Sequence, residues 1–331
     1  MSETTATTKP LMVLKIDIDT YRGTREGTLN LVRMLSAHQA GATFLFSLGP
    51  DHTGWALRRA LRPGFFSKVS RTSVVEHYGL KTLMYGTLLP GPDIGKQCAA
   101  ELRSVQAAGF ECGIHTWDHV LWQDNVAQRD AGWTTRMMRK AAARFTQVYG
   151  VAPRTHGAAG WQMNAAAFAE HDTAGYAYAS DGRCRLNEDG TLANPADGPH
   201  LLSDGATVLK HVQLPTTLPT LDELLGREIN GVTISTANIA EFLLNLTAGA
   251  TRDHVYTLHA ELEGQKLAPI FEQLLAGWQA QGYQLASMAD YYQKVQHQTL
   301  PVCPITWGEL PGRSGQLIVQ GEARAARPSH N

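Results

Sequence analysis

The sequence predicts an α/β fold built on a parallel sheet, either a closed barrel or an open doubly wound sheet. Short, wholly apolar runs alternate with longer stretches of helical periodicity along most of the 331 residues. Roughly seven or eight of these runs read as strands. Several end in Asp or His, and in parallel α/β folds the C-terminal strand ends carry the active site.

In chain order, residues 11–19 read as a buried strand closing on acidic residues. Residues 28–40 read as a helix with Leu29, Val32 and Leu35 at helical spacing. A second strand spans 42–48. Residues 94–108 form a helix stopped by Gly109, followed by a strand at 110–115 and a helix at 133–149 that ends at Gly150. Further strands fall at 175–180, 207–214, 254–259 and 282–286, with helices at 239–246, 269–281 and 288–295. These elements make one domain over residues 11–300. Residues 301–331 are expected to form a loose tail, rich from 313 onward in Gly, Arg, Ala and Ser.

Residues 51–93 fit no strand–helix unit. Between Trp55 and Tyr85, Arg58, Arg59, Arg62, Lys68, Arg71 and Lys81 stand against a single acid, Glu76. The whole chain has a formal net charge of −1, so this basic insertion after the second strand sits in an acidic host. Such asymmetry predicts a separate interaction role. Its cations interleave with Trp55, Leu57, Leu61, Phe65 and Phe66, a mixture suited to an anionic membrane surface.

At 43% hydrophobic and 18% charged residues the chain is neither disordered, collagen-like nor a coiled coil. Its near-neutral charge argues against a nucleic-acid partner. Cys98, Cys112, Cys184 and Cys303 form no Cys-x-x-Cys pair, so reduced thiols are expected rather than a disulfide framework or a cysteine-held zinc. Residues 1–10 lack a signal peptide's basic start and apolar run, and no stretch approaches the roughly 20 apolar residues of a spanning helix. A cytoplasmic chain is expected.

Three strand-end clusters carry candidate chemistry. His115 and His119 are four residues apart and can share one metal ion if the segment turns helically, although a chain with 13 histidines also produces such spacing by chance. Asp17 and Asp19 are two apart, which on a strand puts both carboxylates on one face. The plainer use of such acids is a helix cap beside a solvated charge. Two carboxylates on the buried side would be costly without a cation. His259 ends the strand at 254–259, where its plainer use is a satisfied core histidine. Together these residues suit metal-assisted hydrolysis: a cation, a base for the water proton and an acid for the leaving amine. Asp181, Arg183, Gln213 and Asp222 are weaker candidates for sugar contacts.

The segments Lys15-Ile-Asp-Ile-Asp-Thr20-Tyr-Arg-Gly-Thr24, Phe46-Ser-Leu-Gly-Pro50, His115-Thr-Trp-Asp-His119, Ala158-Ala-Gly-Trp161, Gln213-Leu-Pro-Thr-Thr-Leu-Pro219 and Tyr256-Thr-Leu-His-Ala-Glu261 span nearly the whole chain. In this order they resemble the motifs of the NodB-homology polysaccharide deacetylases. Within that family they are more similar to the branch that deformylates 4-deoxy-4-formamido-L-arabinose on undecaprenyl phosphate during lipid A modification. The resemblance implies a distorted (β/α)7 barrel and a divalent metal ion, with Zn, Mn and Co not distinguished. It implies Asp17 as general base, Asp19, His115 and His119 as metal ligands, and His259 as general acid. It further implies a polyprenyl phosphate-linked sugar as substrate, resistance to cationic peptides such as polymyxin as outcome, and work at the cytoplasmic face of the inner membrane, where the basic composition of residues 55–85 suits them to docking. Two features depart from the broader family and are shared with the branch. Ile18 separates the two aspartates, and Gly157 and Ala159 replace the arginine and proline that precede the Gly-Trp. Rival readings are an N-deacetylase of another amino sugar, a barrel glycosidase and a non-catalytic binding module. A glycosidase fits poorly, because carboxylates two residues apart on one strand do not flank a scissile bond.

Overall fold

The structure, a computed structural model, describes residues 9–56, 79–249 and 252–323. Strand β1 (Leu11–Ile18) is buried along its whole length, and helix α1 (Thr28–Ala37) returns the chain to β2 (Thr43–Ser47). Helix α2 (Ala99–Ala107) leads to β3 (Glu111–Thr116), and α3 (His119–Asn125) and α4 (Ala131–Tyr149) lead to β4 (Thr155–His156). Helix α5 (Ala165–Ala174) and β5 (Tyr178–Ala179) follow, then β6 (His200–Ser203) and β7 (Val208–Gln213). A small hairpin of β8 (Glu228–Ile229) and β9 (Val232–Thr233) precedes α6 (Ile239–Thr247) and β10 (His254–His259). The chain closes with α7 (Ala268–Ala280), β11 (Gln284–Ala286), α8 (Met288–Val295), β12 (Val302–Gly308) and β13 (Leu317–Gln320).

Seven strands run parallel in the order β10-β1-β2-β3-β4-β5-β7. β11 pairs with the first residues of β1, below the point where β2 begins to pair. The seam between β7 and β10 is closed by a loop rather than a ladder. Thr217 N donates to Val255 O at 2.9 Å, Val255 N donates to Thr217 Oγ1 at 2.9 Å, and the Thr216 and Thr257 hydroxyls meet at 2.6 Å. This is the distorted seven-stranded barrel that the motifs imply.

Side-chain alternation along β1 divides the core. Met12, Leu14, Ile16 and Ile18 pack outward in the cluster shared with α1 and α7. Leu11 and Val13 point inward, with Leu45, Val212 and Val255. The inward row continues as Lys15 and Asp17, so the barrel lining turns from apolar to charged toward the C-terminal strand ends.

Most expected elements are present, and the differences have local causes. The helix expected at 94–108 breaks at Cys98 (φ −110°, ψ 18°) into Ile94–Gln97 and α2. The strand expected at 175–180 shortens to β5. Helix α5 was not anticipated because its Ala-rich sequence carries no apolar stripe. Its ends are nonetheless marked, by Asn164 accepting from Ala167 N and by Gly175 at φ +76°. β4 and β6 are too short for a period to register.

The loose tail expected from residue 301 is overturned between 302 and 320. β12 pairs parallel with β6, β13 pairs antiparallel with β12, and Leu317–Gln320 is buried throughout. An open β6 edge would leave unpaired N–H and C=O groups, and these strands cover it. The basic insertion lies largely outside the described residues, 57–78 included. Of its aromatics, Trp55 is described: its Nε1 donates to Gly86 O at 2.6 Å and its ring stacks on His52. It packs against its own loop.

Candidate active site

Asp17, Asp19, His115, His119 and His259 sit at the C-terminal rim of the barrel. β1 delivers Asp17, and Asp19 follows its last residue. His115 occupies an irregularity in the β2–β3 ladder, where Phe46 pairs with Ile114 but Ser47 pairs with Thr116. A bulge of this kind re-aims one side chain. Asp118 then caps α3 by accepting from Leu121 N at 3.0 Å, which makes His119 the first helical residue. The two histidines therefore meet across a strand end and a helix start, not within one helical turn. Their rings lie 5.3 Å apart at 25°. Asp19 Oδ1 lies 3.2 Å from His115 Nε2 and 3.4 Å from His119 Nε2.

Neighbouring groups hold this trio in place. His115 Nδ1 donates to Gly157 O at 2.6 Å, which leaves Nε2 with its lone pair toward Asp19. Glu261 Oε1 accepts from Asp19 N (3.1 Å), Thr20 N (2.9 Å) and Thr20 Oγ1 (2.8 Å), pinning the turn after β1. Burial pushes the Glu261 carboxyl well up, and the Asp19 charge adds to it. Burial also pushes Asp19 up, but the His119 and His115 imidazoles outweigh it and hold the carboxyl well below the usual range. For His115, burial favours the neutral ring, yet the Asp17 and Asp19 carboxylates outweigh it and raise the pKa. Asp118 is occupied by its cap and by His52 Nδ1 at 2.5 Å.

The residue that sequence reasoning missed is Lys15. It is completely buried, and its Nζ lies 2.7 Å from Asp17 Oδ2. Asp17 Oδ1 is buried without a hydrogen-bond partner. Lys15 supplies the cation that the motif comparison found missing at Gly157. A Cβ at residue 157 would sit 2.7 Å from Lys15 Cε, so the glycine leaves room for the lysine. The signal was available, because Lys15 and Asp17 are two apart on one strand and share its inner face. Trp161 of the Gly-Trp motif backs the arrangement, its ring 5.3 Å from Lys15 Nζ, 4.5 Å from the Arg183 guanidinium and 4.7 Å from that of Arg313. His259 lies directly across the β1–β10 ladder from Asp17, with a buried, unpartnered Nδ1. Its backbone N donates to Glu263 Oε2 at 3.0 Å.

Of the weaker sugar-contact candidates, Asp181, Arg183 and Gln213 are turned inward and Asp222 is half-buried. Arg183 is fully buried on Glu223, and Asp181 and Gln213 bond each other. Asp222 accepts from Thr220 Oγ1.

A curled parallel sheet with carboxylates and imidazoles gathered at its C-terminal rim defines a hydrolase of the polysaccharide-deacetylase fold. The fold matches a crystal structure of a "putative polysaccharide deacetylase" from Mycobacterium smegmatis, with a TM-score of 0.58 and 15% identity over 92% of this chain and 96% of that one. Closer in sequence are two proteins each called "Probable 4-deoxy-4-formamido-L-arabinose-phosphoundecaprenol deformylase ArnD". The one from Shewanella sediminis is 32% identical over 93% of both chains, and the one from Wigglesworthia glossinidia brevipalpis is 29% identical over 90% of this chain and 98% of its own. No family model matches. The chain belongs to the 4-deoxy-4-formamido-L-arabinose-phosphoundecaprenol deformylase family.

Proposed function

We propose that this chain is a metal-dependent amide hydrolase that deformylates undecaprenyl phosphate-linked 4-deoxy-4-formamido-L-arabinose. The products are formate and the 4-amino sugar lipid used in lipid A modification. The observation that carries the reading is the convergence of Asp19, His115 and His119 beside an Asp17 held by Lys15, in a chain of this family.

The donor set fits a divalent ion. The Asp19, His115 and His119 ligand atoms lie within 4.8 Å of one another, and Asp19 Oδ1 is buried without a hydrogen-bond partner. One carboxylate and two imidazoles leave positions for water and substrate, and Zn, Mn and Co all accept that set. Bound there, the ion supplies Lewis acidity to the formyl carbonyl and to water. Asp17 Oδ1 takes the proton of the attacking water, while Lys15 on Oδ2 fixes the carboxylate's orientation. Gly157 O keeps His115 in the ligating tautomer. His259 protonates the sugar nitrogen as its bond to the formyl carbon breaks, so the water's hydroxyl leaves in formate and a proton leaves on the amine.

The test is product analysis with the lipid-linked formamido sugar and its acetamido counterpart. Formate release that stops with a chelator and returns with added metal is expected. Equal acetate release would make the chain a general N-deacetylase, and no release of either would remove the reading.

A polyprenyl substrate stays in the bilayer, and no helix among the described residues is long and apolar enough to cross one. We assign contact with the cytoplasmic face of the inner membrane to the basic stretch 55–85, on its sequence alone. Sedimentation with anionic vesicles checks this. Changing Arg58, Arg59 and Arg62 to Glu should abolish salt-sensitive binding, and unchanged binding would refute the assignment.

A further inference from the structure

On the opposite face of the same sheet lies a second group of metal-type ligands that the hydrolytic reading does not use. β4 carries His156, whose neighbour Thr155 faces the barrel interior near Gly113 and Leu45. Alternation therefore turns His156 outward, beneath α5. Helix α5 places His171 over it, the chain after β5 supplies Asp181, and β7 supplies His211 and Gln213. His156 Nδ1 is 2.7 Å from Asp181 Oδ1, and His171 Nδ1 is 3.4 Å from Asp181 Oδ2. Gln213 Nε2 donates to Asp181 Oδ2 at 2.9 Å. His211 Nδ1 is engaged by Asp172 at 2.7 Å.

Three features set this group apart from an ordinary buried network. Neither ring nitrogen of His171 has a hydrogen-bond partner although the side chain is fully buried, and His211 Nε2 is also unpartnered. Asp181 is a fully buried carboxylate, and no lysine or arginine among the described residues pairs with it. Its charge is held by hydrogen bonds from His156 and Gln213 rather than by a lysine or arginine. The spacing, finally, is that of shared ligands. Two imidazoles bound tetrahedrally to one ion at about 2.1 Å per nitrogen place their ring centres roughly 5 Å apart. The His156–His171 and His171–His211 centroids are 4.7 and 5.0 Å apart, against 5.3 Å for His115 and His119.

We propose that His156, His171 and Asp181 bind a second divalent transition-metal ion of the zinc class, a closed structural site that ties α5 to the outer face of the sheet. The ligand atoms lie within 4.8 Å of one another. Side-chain rotation brings them to the roughly 3.4 Å that tetrahedral coordination needs. The His211 ring lies perpendicular to that of His171. With every ligand buried, the site has no position open to a substrate.

The test counts metal in the full-length chain by elemental analysis after exhaustive dialysis. About two equivalents of zinc per chain are expected in the wild type, falling to about one in His171→Ala with formate release retained, and to about one in His119→Ala with formate release lost. His119→Ala isolates the second site should His171→Ala not fold. Loaded with cobalt(II), it should show a tetrahedral absorption band, and strong chelation should lower its melting temperature. A His119→Ala protein that holds no metal, shows no such band and melts identically with chelator would overturn the second site and leave the hydrolytic reading standing. A His119→Ala protein that keeps two equivalents would strike the first site instead.

Discussion

Two clusters built from the same side chains occupy opposite faces of one sheet, and burial divides their roles. At the barrel rim, Asp19, His115 and His119 stand in part against solvent, the His119 side chain being 19% exposed. Beneath α5, His156, His171 and Asp181 are 3%, 0% and 0% exposed. The rim cluster is flanked by an Asp17 oxygen with no partner and an unpartnered His259 nitrogen. The inner cluster is flanked by Gln213 and Phe168, which close it. Donor type alone does not separate a reactive centre from a structural one. Access, and the carboxylate and imidazole atoms left partnerless at the rim, distinguish the two clusters here.

If that contrast is right, changes at the rim cost turnover and changes beneath α5 cost stability. The largest effect is expected from Asp17→Asn, whose amide cannot accept the water proton: turnover should fall by about 10²–10⁴-fold with metal content intact. Single-turnover formate release beside metal analysis checks it, and near-normal turnover would move the base elsewhere. Next comes Lys15→Met, which removes the cation from Asp17 Oδ2 and should lower kcat by roughly 10–100-fold with little change in KM. Lys15→Arg should recover part of the loss if the cation positions the base. A KM effect without a kcat effect would mean that Lys15 only fills space. Gln213→Leu, the smallest, removes a hydrogen bond to Asp181 and should cost on the order of 1–3 kcal/mol of stability while leaving formate release unchanged. Denaturant unfolding measures it, and a loss of turnover without a loss of stability would break the contrast.

The strands that read as apolar runs were legible because burial on both faces imprints itself on consecutive residues. β1, β2 and β10 fall where expected for that reason, and β3 and β7, less buried at their starts, also fall where expected. The rim residues were legible because a charged group at the end of such a run needs a reason to be there. β12 and β13 were not, since their polar and glycine-rich flanks dilute the signal and their place depends on an edge left open by β6, about a hundred residues upstream.

By itself, then, the sequence determined a parallel α/β sheet, with the barrel implied by the motif resemblance, and an Asp-His-His set at its strand ends, because period and spacing are local properties of the chain. Only the tertiary structure decided that Lys15 holds Asp17, that Gly157 makes room for it, that Glu261 is a scaffold, and that His156, His171 and Asp181 meet beneath α5. Each of these depends on how segments 10 to 241 residues apart are brought together by a curled sheet, or, for Lys15 and Asp17, on which face of their strand turns toward the enclosed barrel. No local pattern encodes which side of a strand will be closed off from water, and that choice separates a solvated lysine from a buried one.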